Sequence, residues 1–276
     1  MKFTMKLSIL FFIMVVAIFF LYNVVYGNPS LKKTQQGEIS VTQQQEKITM
    51  QTRWIGKDSE YETPYYVFNS NTPQPVVLIE AGIHGDELAG VYALNRLLPK
   101  IQISSGTLII FPKMNILACN AEKRFINKDL NLIFPGRKDG KFYEFKLARE
   151  IYEMVAREKV EYLLTLHESR YLHDVNKPRT FGQTIVYGVQ PVPEYLADWL
   201  KQVNRRVLHE KEIFHPYYFP VEGSSTETMV ADYNLKGGFC IETWRNFPME
   251  RRVQLQSDVV LTFLDTIKFK YSLLVP

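Results

Sequence analysis

The sequence predicts an α/β protein, a three-layer sandwich with a mixed, largely parallel sheet. Apolar runs of strand length alternate along the chain with stretches in which apolar residues recur at helical spacing. This alternation is typical of a sheet that is covered by helices on both faces. The chain has 276 residues, 46% of them hydrophobic and 22% charged, and no internal repeat, so we expect one large folded domain over residues 52–276.

The strand predictions follow the apolar runs in chain order. Residues 52–68 alternate in polarity and predict edge strands at the start of the domain. Buried strands are predicted where short apolar runs are bounded by turn residues or helical stretches, at 76–79, 106–112, 160–166, 183–189 and 238–243.

Helices are predicted between these strands. The first begins after Glu87 and stops at Pro99, since proline cannot continue a helix. Apolar residues at helical spacing predict three more, at 142–155, 196–207 and 259–267. The segments 113–140 and 213–228 are polar or rich in turn residues, and we expect them to be loops.

The N-terminus predicts a protein that is secreted or at least extracytoplasmic. Two lysines precede an apolar run at residues 7–21, and Val25 and Gly27 fit the positions before a cleavage site, so residues 1–27 are predicted to be a signal peptide. The alternative is an uncleaved membrane anchor, because the apolar run is near the spanning length. Residues 28–51 are polar and rich in glutamine, which predicts a flexible leader.

Charge and cysteine content exclude two classes of protein. The formal net charge is only +4 and no dense cluster of lysine and arginine occurs, so nucleic acid is not an expected partner. Cys119 and Cys240 are the only cysteines, too few for a disulfide scaffold. We expect two buried free thiols.

One strand-to-helix turn carries the first candidate site. His84 and Glu87 stand three residues apart where the strand at 76–79 gives way to a helix. Open α/β sheets place their ligands at such turns, and an imidazole with a carboxylate can bind one divalent cation. The spacing alone is common by chance, and Glu87 could instead only favour the helix N-terminus electrostatically.

The other predicted strands decide between these interpretations, because polar side chains also lie at their ends. Arg124 and Asn131 lie in the loop after the second buried strand, His167 ends the third, and Glu242 ends the last. In a doubly wound sheet all these loops can converge on one edge. Two histidines and one glutamate with an open fourth position form a catalytic zinc site, so the convergence favours a zinc hydrolase.

Four motifs extend this hypothesis to a family. They are GIHGDELAG, the loop with Arg124 and DLN (129–131) followed by FPG (134–136), LHES and the terminal IET. Together and in this order they resemble the zinc carboxypeptidase superfamily, and within it most closely the succinylglutamate desuccinylase/aspartoacylase branch. The resemblance implies a zinc-carboxypeptidase-like fold.

The resemblance also implies roles for individual residues. His84, Glu87 and His167 would bind one Zn²⁺ per chain, and Glu242 would act as general base on a zinc-bound water and then as general acid. Arg124 would polarise the scissile carbonyl and bind substrate, and Asn131 would help to bind a substrate carboxylate. The implied function is hydrolysis of an amide bond in a peptide or an N-acyl amino acid, as a deacylase or a carboxypeptidase. Asp86 is expected to be a partner of a metal ligand or a turn residue.

One position departs from the family pattern. Leu132 stands where the family has an arginine, and leucine cannot form a bidentate pair with a terminal carboxylate. Arg170, Arg179 or Arg245 could supply that charge from another loop. The departure keeps open a zinc-stabilised binding protein that has lost or altered catalysis, although Arg124 and Glu242, which binding alone does not need, are present.

Overall fold

The computed structural model describes residues 49–274. The predicted signal peptide or anchor at 1–27 and most of the predicted leader lie outside these residues and stay predictions. The first strand begins at Thr49, three residues before the predicted start of the domain. Within residues 49–274, no helix combines the length and the apolar character that crossing a membrane requires.

Eight strands form the main sheet, and two short ones pair separately. The strands are β1 Thr49–Ile55, β2 Thr63–Asn69, β3 Val76–Ala81, β4 Ile101–Ile103, β5 Thr107–Phe111, β6 Tyr162–Ser169, β7 Thr184–Tyr187, β8 His215–Tyr218, β9 Gly237–Trp244 and β10 Tyr271–Leu273. The order in the main sheet is β1-β2-β5-β3-β6-β9-β7-β8, and β4 pairs antiparallel with β10.

The centre of the sheet is parallel. Strands β5, β3, β6 and β9 run in one direction, so their carboxyl ends share one edge. Antiparallel strands flank them, with β2 beside β5 and β7 beside β9. All residues of β3 and β5 are buried, as expected for strands with helices on both sides. The predicted mixed, largely parallel sheet is confirmed.

Helices cover both faces of the sheet and complete the three layers. They are α1 Leu88–Leu97, α2 Ile116–Asn120, α3 Tyr143–Glu158, α4 Leu196–Asn204, α5 Ser225–Tyr233 and α6 Met249–Thr266. Helices α1, α4 and α6 pack on one face, against alternate strand residues such as Val77 and Ile79. Helices α3 and α5 pack on the other face, against Leu78 and Leu163. The side chains of β3 alternate between these two cores because successive residues of a strand point to opposite faces.

The structure adds short elements within the predicted loops. Helix α2 and a 3₁₀ turn at Leu130–Leu132 interrupt the predicted loop 113–140, and β8 and the start of α5 lie in the predicted loop 213–228. Three of the four residues of β8 are exposed at the edge of the sheet, so the strand has no apolar alternation to reveal it. Helix α6 also begins at Met249, ten residues before the predicted helix.

Gly85 joins the turn after β3 to the loop after β5. Its backbone N–H donates to the carbonyl of Arg124 at 3.3 Å, and a Cβ at this position would lie 2.0 Å from the carbonyl carbon of Ala118. The variant Gly85→Ala must therefore displace one of the two backbones. We expect it to lower the free energy of unfolding by roughly 1–3 kcal/mol, measured by chemical denaturation. The exposed neighbour Lys123, changed to alanine, should stay within about 0.5 kcal/mol, and equal stability of both variants would contradict this packing.

Candidate active site

The site lies where the carboxyl ends of the four parallel strands meet. His84 and Glu87 follow β3, and Glu87 is the residue that precedes the first turn of α1. His167 and Glu242 lie near the ends of β6 and β9 and are direct partners in the register of this strand pair. The loop after β5 brings Arg124 to the same edge, where its side chain contacts Glu87. The structure therefore brings together residues from all four predicted strand ends.

Glu87 lies between the two histidines. Its Oε1 is 3.0 Å from Nδ1 of His84, and its Oε2 is 2.8 Å from Nδ1 of His167. The three residues are no more than 3% exposed, and one ligand atom from each lies within 4.8 Å of the others. Imidazole nitrogens and a carboxylate oxygen in one small buried space are a donor set typical of zinc.

Asp129 holds the other ring nitrogen of His84. Its Oδ1 is 3.0 Å from Nε2 of His84, so a carboxylate faces each nitrogen of this ring. A proton on Nε2 that is donated to Asp129 leaves the lone pair of Nδ1 free for a metal ion, an arrangement that orients metal-bound histidines in general. Asp129 was part of the sequence motif but received no role there, because nothing in the loop sequence shows which side chain its carboxylate meets.

The ionisation of the three residues shows how strongly they interact. Burial disfavours a charged His84, but Glu87 and Asp129 outweigh burial and raise its pKa to about 9. Burial lowers the pKa of His167. Burial alone would raise the pKa of Glu87, yet the two histidines hold it well below its usual value. A carboxylate that stays ionised in a buried position needs positive charge beside it, which a divalent cation would supply. The residues present therefore fit a metal ion.

The variant Asp129→Asn tests whether the contact between Asp129 and Nε2 of His84 supports zinc binding. The amide keeps the size of the side chain but loses the charge that orients His84, and we expect zinc affinity to fall by roughly 10- to 100-fold. Competition with a fluorescent chelator measures the affinity. Asp139→Asn, an exposed change in the same loop, should leave it unaltered. An unchanged affinity in Asp129→Asn would show that His84 needs no such support.

Glu242 lies next to His167 but is not one of the three residues of the His84–Glu87–His167 group. Its Oε2 is buried and has no hydrogen-bond partner within residues 49–274. Burial, with the nearby negative charge of Glu87, raises its pKa to about 8. A second candidate group contains Glu242 with His167 and Cys240. A carboxyl with a pKa near neutrality and an unoccupied oxygen is suited to accept and return a proton.

Arg124 and Asn131 also line this site. Arg124 donates from Nη1 to Oε1 of Glu87 and from Nε to Oδ2 of Asp129, both at 3.1 Å. Asn131 accepts a hydrogen bond from the backbone N–H of Ser225 at 3.1 Å, so its carbonyl group is used by the start of α5. Its side-chain N–H₂ group is the part that remains to bind a substrate.

Of the two roles expected for Asp86, the structure shows the turn residue, because Asp86 lies in the turn between β3 and α1. It contacts no metal-ligand candidate through a hydrogen bond within the described part of the chain, and Arg245 donates to its Oδ2 at 3.0 Å. The side chain of Leu132 is 55% exposed and lines the cavity described next. Arg170, Arg179 and Arg245 line the same cavity, so each of the three arginines considered as a replacement lies within this site.

A cavity of about 500 Å³ opens over these residues. Its lining includes the metal-ligand candidates, Glu242 and Arg124. Apolar side chains also line it, among them Phe181, Val186, Phe219 and Val221, together with Cys240 and Glu227. Both cysteines are free, as predicted; Cys119 is buried and Cys240 is partly buried in this cavity wall.

Fold and site together define an α/β protein with a buried His–Glu–His candidate metal site at the carboxyl edge of its sheet. Residues 73–177 match the model of the succinylglutamate desuccinylase/aspartoacylase catalytic domain. The resemblance to the zinc carboxypeptidase superfamily, and to this branch of it, is thereby confirmed.

Individual relatives share this resemblance over part of the chain. The chain is 40% identical to N-alpha-acetyl-L-2,4-diaminobutyric acid deacetylase of Halomonas elongata over 75 residues. This matched stretch covers 25% of this chain and 22% of the relative. The chain is 31% identical to succinylglutamate desuccinylase of Burkholderia lata over 90 residues. This second matched stretch covers 31% of this chain and 25% of the relative. The matched stretches thus span about a quarter of these relatives.

A solved structure shows the same fold. The mDAP-bound form of Helicobacter pylori Csd4, a D,L-carboxypeptidase, superposes with a TM-score of 0.66 at 19% identity. The match covers 73% of this chain and 55% of that chain. At this identity the similarity concerns the fold alone.

Proposed function

We propose that this chain is an exported, zinc-dependent hydrolase that cleaves an amide bond in a peptide or an N-acyl amino acid. The observation that carries the proposal is the position of Glu242. It places an unpaired carboxyl oxygen beside a buried His84–Glu87–His167 group, in a cavity large enough for a substrate. The relatives with deacylase, desuccinylase and carboxypeptidase names support amide hydrolysis as the reaction class.

His84, Glu87 and His167 would hold the zinc ion. When bound, zinc acts as a Lewis acid on a carbonyl group and makes water acidic near neutral pH. Asp129, 3.0 Å from Nε2 of His84, would keep the lone pair of Nδ1 available to the ion. Positive charge at this position also favours the ionised form of a nearby carboxyl group, so it opposes the rise in the pKa of Glu242.

Glu242 would move the proton during the reaction. Its free Oε2 can take a proton from the attacking water and later give it to the leaving amine, which must be protonated to depart. The backbone of Glu242 is fixed in β9, where it is the register partner of His167 in the neighbouring strand β6. This pairing keeps the side chain of Glu242 next to a metal-ligand candidate.

Arg124 would stabilise negative charge on the carbonyl oxygen. Its guanidinium is held from one side by Glu87 and Asp129 while the side chain is 46% exposed and lines the cavity. A charged donor that is fixed before the reaction is worth more than one that must be ordered during it. Asn131 would bind a polar group of the substrate with its N–H₂ group.

Leu132 bears on whether the substrate ends in a free carboxylate. A leucine offers no charge there, but Arg170, Arg179 and Arg245 line the same cavity. Arg245 is engaged by Asp86 at 3.0 Å, whereas the side chain of Arg170 is 72% exposed and reaches Asp86 only at 4.0 Å. Arg170 is therefore freer than Arg245 to meet a substrate carboxylate, and both deacylase and carboxypeptidase reactions remain within the proposal.

Amide hydrolysis tests the proposal directly. Release of free amine is measured from N-acetyl and N-succinyl amino acids and from short peptides, with added zinc, with chelator and with the Glu242→Gln variant. We expect zinc-dependent release that chelator abolishes and that Glu242→Gln loses. The alternative, a zinc-stabilised binding protein suggested by Leu132, predicts bound zinc with no Glu242-dependent release from any of these compounds.

A further inference from the structure

Glu80 is a fully buried carboxylic acid in the central strand β3. Val76 and Leu78 of the same strand face helices α3 and α5, and the alternation of side chains along a strand turns Glu80 to the same side. A carboxyl group in such a position costs free energy unless hydrogen bonds or charges compensate for its burial. Its contacts therefore show what this residue does.

Two hydroxyl groups meet one oxygen of this carboxyl group. Thr165 donates from Oγ1 to Oε1 of Glu80 at 2.8 Å, and Ser225 donates from Oγ to the same oxygen at 3.1 Å. The other oxygen, Oε2, is buried and has no hydrogen-bond partner among residues 49–274. Burial raises the pKa of this carboxyl group to about 7, although the two hydroxyl groups oppose the rise. Glu80 thus acts as a hydrogen-bond acceptor, and a neutral side chain with the same oxygen could replace it.

The carboxyl group lies directly beneath the candidate active site. Glu80 is the register partner of Thr165 in β6, and Thr165 is the partner of Cys240 in β9. The next residues on the same face of these two strands are His167 and Glu242. Two residues of strand correspond to about 6–7 Å, so the row that contains Glu80 forms the layer below the metal-ligand candidate and the proposed general base.

The first turn of α5 connects Glu80 to the substrate side of the cavity. Ser225 is the first residue of this helix, and its backbone N–H donates to Oδ1 of Asn131 at 3.1 Å. A second contact joins the same two segments, because the N–H of Phe134 donates to the carbonyl of Gly223 at 2.9 Å. The loop that carries Asn131 is therefore attached to the start of α5, and Glu80 attaches the start of α5 to the sheet.

We propose that Glu80 is a positioning residue for substrate binding: through Ser225 it fixes the first turn of α5, and through that turn it orients the side chain of Asn131. The inference rests on the proposed function, in which the N–H₂ group of Asn131 binds the substrate. A polar group that is held in place before binding loses less freedom when the substrate arrives. Loss of the acceptor at Glu80 should therefore weaken substrate binding while zinc binding and proton transfer continue.

Steady-state kinetics on the N-acyl amino acid that the wild type hydrolyses fastest tests this role. The variant Glu80→Leu keeps the size of the side chain without an acceptor, and we expect KM to rise by about 3- to 10-fold, as for the loss of one hydrogen bond. The value of kcat should stay within about threefold, because the interaction acts on binding. Glu80→Gln retains the acceptor oxygen and should restore the wild-type KM.

Ser225→Ala removes one hydroxyl group instead of the acceptor, and it decides the question if Glu80→Leu does not fold. It should raise KM in the same way. The matched control is Thr165→Val, which removes the other hydroxyl group bound to Glu80 but has no link to Asn131 through Ser225. An equal rise of KM in Thr165→Val, or an unchanged KM in Ser225→Ala, overturns the proposal.

A double-mutant cycle shows whether Glu80 acts through Asn131. If it does, Glu80→Leu should have almost no further effect on KM once Asn131→Ala is present, because residues that act through one contact are not additive. Zinc content and melting temperature are compared for all variants, so that a collapsed site is recognised. Additive effects of the two substitutions would contradict the proposed connection.

Hydrogen exchange separates this inference from the proposed function, since it requires no turnover. The N–H of Ser225 is held by Asn131, and mass spectrometry follows its exchange in a peptide that covers residues 224–230 of the zinc-loaded chain. We expect faster exchange in Glu80→Leu, wild-type exchange in Glu80→Gln, and no change in α3 for either variant. Faster exchange in Glu80→Leu supports the positioning role even if no amide is hydrolysed, whereas unchanged exchange overturns it.

Discussion

Glu242→Gln is expected to lower kcat for amide hydrolysis by about 10²- to 10⁴-fold, the range that a positioned general base contributes. Glutamine has nearly the same shape, but its amide cannot take a proton from water or return one to a leaving amine. Removal of a partly buried carboxyl that lies near Glu87 also relieves repulsion, because the negative charge of Glu87 helps to raise the pKa of Glu242. We therefore expect a melting temperature equal to or above that of the wild type.

Zinc content separates this effect from damage to the metal site. Glu242 lies outside the His84–Glu87–His167 group, so the variant should bind as much zinc as the wild type. Steady-state release of amine and metal analysis of the same sample are the measurements, and the exposed change Glu222→Gln is the control. Retention of kcat within about threefold would leave Glu242 without a catalytic role.

The variant Arg124→Ala should lower kcat by about 10²- to 10³-fold, the cost of losing one donor to a developing oxyanion. If the guanidinium acts on charge that appears only during the reaction, KM should change much less than kcat. Arg124→Lys should recover part of the loss, since a lysine supplies the charge without the forked geometry.

Arg124 also contacts Glu87 and Asp129, so a purely structural role needs its own control. Zinc affinity is therefore measured for Arg124→Ala beside Lys123→Ala, an exposed change next to it in the loop. A loss of activity that only follows a loss of zinc would assign Arg124 to holding the ligands. A loss of kcat with zinc still bound assigns it to the substrate.

The central sheet and the convergence of its strand ends could be predicted from the sequence for a physical reason. Strands β3, β5 and β6 are buried on both faces, which requires nearly continuous apolar runs that the sequence displays. Elements at the surface lack this requirement. The edge strand β8 exposes most of its residues, and the first turn of α5 is polar, so neither has an apolar pattern.

Pairing between side chains from distant loops could not be predicted in the same way. The motifs pointed to His84, Glu87, His167 and Glu242, which the structure brings together. The contact of Asp129 with His84 crosses 45 positions of sequence, and the pairing of Asp86 with Arg245 crosses 159.

Zinc binding at the His84–Glu87–His167 group is the claim on which the proposed chemistry depends, and the zinc-to-chain ratio after dialysis measures it most directly. The wild type and the control His209→Ala, an exposed histidine, should retain one zinc per chain, whereas His84→Ala, Glu87→Ala and His167→Ala should retain almost none. A wild type that holds no zinc, or three variants that keep the wild-type ratio, would contradict the account.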